Sequence, residues 1–164
     1  MTETPAEPEP DLRSQLEVLR DVVQAELAAA GLPVMPGEEP IGAAGAVVKV
    51  DVPDLRGVAV GWCEHVVLLD ALEEAWAEDP HQEGAECAAF GRLTSAIGEA
   101  MSVAMRKILT AAGLEVADAA NDHAPDQLLV TRMVSLSVWQ ARRDAQFARR
   151  EEAMQAAWRS RSAE

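Results

Sequence analysis

The spacing of apolar positions changes period twice in the first half of the chain. Leu12, Leu16, Leu19, Val23 and Ala30 follow one another at spacings of four, three, four and seven, the stripe of an amphipathic helix. Gly31 is placed to end that helix as a left-handed cap, and Pro33 cannot continue it. A Gly- and Pro-rich connection follows, "MPGEEPIGAAG". Val48, Val50 and Val52 then alternate with Lys49 and Asp51, which predicts a strand with one buried face. "PDLRG" has turn chemistry, and Val58, Val60 and Trp62 form the apolar face of a second strand. The pair predicts a β-hairpin with Trp62 buried on its inner side.

Beyond Glu64 the helical period returns in Leu69, Leu72 and Trp76, and Pro80 marks its end. The longest run comes next: Phe90, Leu93, Ile97, Met101, Ala104 and Ile108, always three or four apart. It predicts a helix over about 85–112 with Gly113 as its cap. At ~1.5 Å per residue it is on the order of 40 Å long, more than a small sheet covers, which leaves part of it for an oligomer interface. "NDHAPD" reads as a loop and "QLLVTRMV" as a third strand joining the hairpin. Ser137 and Gln140 have capping-box spacing, and the helix they open, "VWQARRDAQFARREEAMQAAWRSR", runs nearly to the last residue.

The predicted order is α-β-β-α-α-β-α. It describes an α+β fold: a small antiparallel sheet, hairpin plus third strand, packed on one face by helices, with a long C-terminal helix. Three parts follow: a disordered acidic N-terminus over residues 1–10, a single α+β domain over 11–135, and a basic C-terminal helix over 136–164. "AAAGLPV" and "TAAGLEV" echo each other, each at the end of a helix. They read as one helix-stop chemistry used twice, with a repeated α-β unit as the alternative.

Charge narrows the partners. The 164 residues carry a net charge of −14. Residues 1–135 hold 24 acids and 8 bases, whereas residues 136–164 hold 4 acids and 6 bases. So acidic a body repels nucleic acid and anionic membranes over a Debye length of roughly 8 Å. It favours basic partners. No apolar run approaches the ~20 residues that span a bilayer. "MTETPAEPEP" lacks the apolar core of a signal peptide, and two cysteines do not make a disulfide framework. These features predict a cytoplasmic protein with reduced thiols.

Candidate chemistry is sparse. Cys63, His65, His81 and Cys87 are zinc-binding types, but C-x-H followed by H-x5-C lacks the tight pairs of zinc sites. The simpler reading buries both thiols as small hydrophobes and exposes both histidines, so no metal or cofactor is expected. Asp70, Glu74 and Glu78, four apart with Glu73 beside them, form an acidic ridge opposite Leu69, Leu72 and Trp76. Like charges at that spacing destabilise a helix by ~0.2–0.5 kcal/mol per pair. The ridge is a solvated face or a docking face, and a convex helix provides no cleft for paired-carboxylate catalysis. "GAAG" leads from helix to strand, the reverse of a phosphate-binding loop. Gly91 and Gly98 form, with Cys87, Thr94 and Ser102, a ridge of small residues that either lets another backbone approach or is simply tolerated in the helix. In the last helix, Arg142 and Arg149 are seven apart, as are Arg143 and Arg150, beside a thin stripe of Phe147, Met154 and Trp158. No nucleophile elbow, catalytic triad or dinucleotide fingerprint falls on the predicted elements.

"GVAVGW", "AIGEAMSVAMRKILTAAGLEV" and "ANDHAPDQLLV" resemble uncharacterised small acidic proteins of high-GC actinobacteria, over about residues 12–132. The resemblance implies a bacterial cytoplasmic origin and no activity. The α-β-β-α order also resembles small acidic secretion chaperones, which dimerise and clamp partner proteins; that likeness is one of fold order alone. The expected function is a non-catalytic protein-binding module, adaptor, chaperone-like or regulatory, homo-oligomeric through its long helices. Its partner would be a protein or itself, neither nucleic acid nor membrane. Asp70, Glu74 and Glu78 on one side and Arg142, Arg143, Phe147, Arg149, Arg150, Met154 and Trp158 on the other are the expected interaction residues. The alternative is a small-molecule-binding domain or enzyme with a pocket between sheet and helices, lined by Trp62, Trp76, Phe90 and Met101.

Overall fold

Two glycines in the left-handed region, Gly31 at φ +85° and Gly113 at φ +88°, turn the chain from helix to sheet. The computed structural model describes residues 11–35, 42–52 and 54–161. The disorder expected over residues 1–10, the middle of the Gly/Pro-rich connection and Pro53 of the turn lie outside them. Helix α1 (Leu12–Ala29) begins at Asp11, whose carboxylate accepts the Ser14 backbone N–H at 2.7 Å. That bond holds the Asp11 carboxyl below its ordinary range. At the other end Leu32 N–H donates to Leu27 O and Gly31 N–H to Ala28 O, each at 3.0 Å. This is the Schellman arrangement, and it satisfies carbonyls that the helix leaves unpaired.

The remaining elements are β1 (Gly45–Val50), β2 (Val58–Cys63), α2 (Val66–Glu78), α3 (Ala85–Ala111), β3 (Leu114–Asp118), β4 (Leu128–Met133) and α4 (Val138–Arg161). The strands form one antiparallel sheet in the order β1-β2-β4-β3. Alternation turns Ala46, Val48, Val58, Val60, Leu128 and Val130 to one face. Leu16, Leu19, Val23 and Leu27 of α1 and Met105 and Leu109 of α3 pack on that face and close the core. Burying such a side chain contributes ~1.5–3 kcal/mol. The α+β architecture expected from the sequence is present, with a long C-terminal helix.

Three details differ. First, the order is α-β-β-α-α-β-β-α, because residues 114–118 form the edge strand β3. Only Leu114 of that strand is fully buried, and its tail is Ala- and Asp-rich, so the segment has little strand character of its own. Pairing with β4, and the ion pair of Arg106 on α3 with Asp118, hold it in place. Second, β1 stops at Val50; Val52 lies in the turn and is exposed. Third, Trp62 faces the core as expected but is only half-buried at the end of β2. With β3 included, each half of the molecule runs α-β-β-α, and the AAGL echo marks the same left-handed helix stop in both.

The turn between β1 and β2 is closed by the Arg56–Asp51 ion pair at 2.8 Å and ends at Gly57. A Cβ on Gly57 would lie 2.4 Å from the Val130 carbonyl oxygen, so any side chain there pushes β4 away. Gly61, further along β2, has open space where its Cβ would be. Gly57→Ala is therefore expected to cost roughly 1–3 kcal/mol. For a chain of this size that lowers the melting temperature by ~2–4 °C per kcal/mol. Gly61→Ala should leave it unchanged or slightly raised, and calorimetry on the two variants compares them directly.

Candidate interaction surface

A buried carboxylate fixes where α4 leaves the body. Glu26 lies on the core side of α1, three residues after Val23, and is 5% exposed. Trp139 Nε1–H donates to its Oε2 at 2.9 Å, and Gln140 Nε2–H to its Oε1 at 2.7 Å. Hydrogen bonds to an ionised acceptor are about twice as strong as neutral ones, and these two outcompete the expected capping box. Gln140 turns to Glu26, and among the described residues the buried Ser137 Oγ has no partner. The sequence carried a signal for this clamp: an acid standing on an apolar stripe. An apolar groove of about 570 Å³ beside it is lined by Ala29, Ile108, Ala112, Val138 and Trp139.

After that first turn α4 is exposed to solvent. Every residue from Ala141 to Arg159 is exposed, including Phe147 at 61% and Met154 at 70%. A 24-residue helix is ~36 Å long. Gln140, Phe147 and Met154 are seven apart, so the exposed stripe continues the face that meets Glu26, with Trp158 on the same side. The helical period also separates the arginines. Arg143 and Arg150 flank the stripe, whereas Arg142 and Arg149, about 200° away from Phe147, lie on the far side. Arg143 stacks over the Trp139 ring, 5.1 Å from its centre, and lies 3.7 Å from Asp144.

The acidic ridge is present on α2. Leu72 and Ala75 are its buried residues, and Asp70, Glu73, Glu74 and Glu78 are exposed. Trp76 is 41% exposed, because the helix turns Ala75 rather than Trp76 toward α3. Among the described residues no ion pair joins an acid of α2 to any base, and none joins α4 to α2. Helix α2 meets the first turn of α3, where Cys87 Sγ–H donates to Ala75 O at 3.5 Å. The root of α4 lies beside the last turn of α3, at Ile108 and Ala112. Along α3 those two ends are ~36 Å apart. Helix α4 stays exposed from Ala141 to Arg159, so among the described residues the two charge blocks are not brought together within one chain.

The four zinc-type residues also lie apart in role. His65 caps α2, its Nδ1 accepting Val67 N–H at 3.2 Å. Cys63 Sγ–H donates to Glu64 O at 3.5 Å, His81 is exposed in the α2–α3 loop, and Cys87 is buried between helices. Among the described residues no group of three or more His, Cys, Asp or Glu side chains is placed to hold a metal ion. Burial pushes both thiols above their ordinary range, with Glu64 adding at Cys63 and Asp79 at Cys87. Both are thus held as thiols at neutral pH, the weaker nucleophile and the weaker ligand.

A cavity of about 450 Å³ opens at the end of the sheet, where β2 runs past its pairing with β4. Trp62, Met105, Lys49, Glu64, Thr94 and Asp126 line it. Of the four aromatic and Met residues expected to form a pocket, it contains Trp62; Trp76, Phe90 and Met101 are elsewhere. The small-residue ridge of α3 is met only in part. A Cβ on Gly98 would lie 2.7 Å from Asp126 Oδ2, while Gly91 has open space.

Two outcomes follow from this geometry. Glu26→Ala leaves the buried Gln140 amide and the partly exposed Trp139 indole N–H without their acceptor and should cost ~1–3 kcal/mol, with faster hydrogen exchange in the first turn of α4. Maleimide labelling of the native protein should be slow at Cys63 and slower at Cys87, with both rates rising sharply on unfolding; a rapidly labelled Cys87 would contradict its burial. No family model matches the chain, and no curated protein or solved structure does so either.

Proposed function

We propose that this chain is a non-catalytic protein-binding module of the cytoplasm, adaptor, chaperone-like or regulatory in role, with α4 as its binding arm. One observation carries the reading: α4 is rooted by a buried carboxylate and then holds Phe147 and Met154 in solvent for the rest of its length. A helix gains most of its stability in proteins from packing an apolar face, and α4 has that face exposed. The arginines beside the stripe suit a partner that offers carboxylates. Exposed ion pairs contribute only ~0–1 kcal/mol each, so the apolar stripe supplies most of the affinity. Charge sets the encounter rate and the choice of partner. The acidic body disfavours nucleic acid and anionic membranes. Among the described residues no helix is long and apolar enough to cross a membrane.

A photoreactive residue at position 147 of the full chain, expressed in the native host, tests this. It should give a discrete protein adduct that is lost when Met154→Ser is added, with the melting temperature unchanged. The same probe at Lys107, exposed on α3, is the control. An adduct yield at 147 no higher than at 107 would remove the arm from consideration.

A further inference from the structure

We infer that the partner of α4 is a second copy of this chain, which receives the arm on its acidic α2 face and the start of α3. This deepens the reading of α4 as a binding arm and rests on it. The evidence is complementarity of charge and apolarity between two surfaces that one chain holds apart. From Gly57 to Gly91 the sequence contains eight acids and neither Lys nor Arg. On α2 four of those acids are exposed and, among the described residues, in no ion pair. Exposed apolar side chains stand beside them on α2, Val67 next to the ridge and Trp76 at its border, and Leu93 is exposed on the neighbouring helix α3. The arm presents the converse, Phe147 and Met154 with Arg143 and Arg150 along one flank.

Exposure argues for exchange over self-docking. The seat lies at one end of α3 and the root of the arm at the other, ~36 Å away, and α4 is exposed from Ala141 onward. A second copy turned end for end places its seat beside the first copy's arm, and the reverse. Such an exchange is reciprocal and closes as a two-fold dimer. Two bodies of like net charge repel, but over ~8 Å that repulsion is screened, whereas the arm and seat meet at contact. Added salt should therefore change the association only modestly.

Light scattering on the full chain across the micromolar range, combined with a charge swap, tests the inference. The wild-type chain should reach the dimer mass. Arg143→Glu/Arg150→Glu reverses the arm, and Asp70→Lys/Glu74→Lys reverses the seat. Each alone should weaken the dimer at least about tenfold, and mixing the two variants should restore it, since each arm then meets a seat of opposite charge. All four side chains are exposed, so unchanged melting temperatures will show that both variants fold. Loss of the dimer on arm reversal but not on seat reversal would overturn the inference in favour of arm-to-arm pairing. A monomer at every concentration would overturn it as well. If the probe at 147 then still captures another protein, the arm reading survives and the partner is foreign. A crosslink between arm and seat within one chain would mean docking in cis and would also overturn it.

Discussion

The two hairpins are joined by three residue pairs of β2 and β4: Val58 with Val130, Ala59 with Leu129, and Val60 with Leu128. Val58, Val60, Leu128 and Val130 have no exposed surface. Every other layer depends on this seam. It fixes which residues of four strands point to one face, and so where α1 and α3 have an apolar surface to cover. A one-residue slip would turn the valines outward and bring Ala59 and Leu129 in. Gly57 stands at the end of the seam because the Val130 carbonyl comes too close for a side chain.

Around that seam, polar contacts give direction rather than bulk stability. The ion pair of Arg106 with Asp118 ties an edge strand with little apolar content to the helix above it. Glu115, on the edge strand next to β4, accepts from Arg132 and Thr131 at the β-bulge, which holds its carboxyl below the ordinary range. Glu26 is the exception in kind, since it is buried. Removing a carboxylate from water is costly, and two donors from one short segment offset that cost at a single angle of departure for α4.

Much of this was legible beforehand, and the reasons are local. The ends of α1 and α3 were readable because a glycine after an apolar stripe has few other uses, and both glycines have positive φ. The hairpin was readable from strict alternation in Val48, Val58 and Val60. Strand β3 was not, because five residues with a single deeply buried side chain acquire strand geometry from their neighbour. Trp76 was misplaced because size suggested burial, whereas helix phase turned Ala75 inward. The surface features of α2 and α4 were half legible. Spacing identified the stripe on α4 and the ridge on α2, but grouped four arginines that the helix divides between two faces. The clamp at Glu26 involves partners over a hundred residues apart, a separation that periodicity does not report.

The recurrence of α-β-β-α has a consequence for α4. In the first half, the helix that follows the hairpin is α2, and it leans on α3, the helix that opens the second half. Helix α4 stands at the corresponding place in the second half. Among the described residues no opening helix lies along it as α3 lies along α2. The two halves meet head to head through their second strands, β2 and β4, which run antiparallel, so the chain leaves the sheet at opposite ends into α2 and α4.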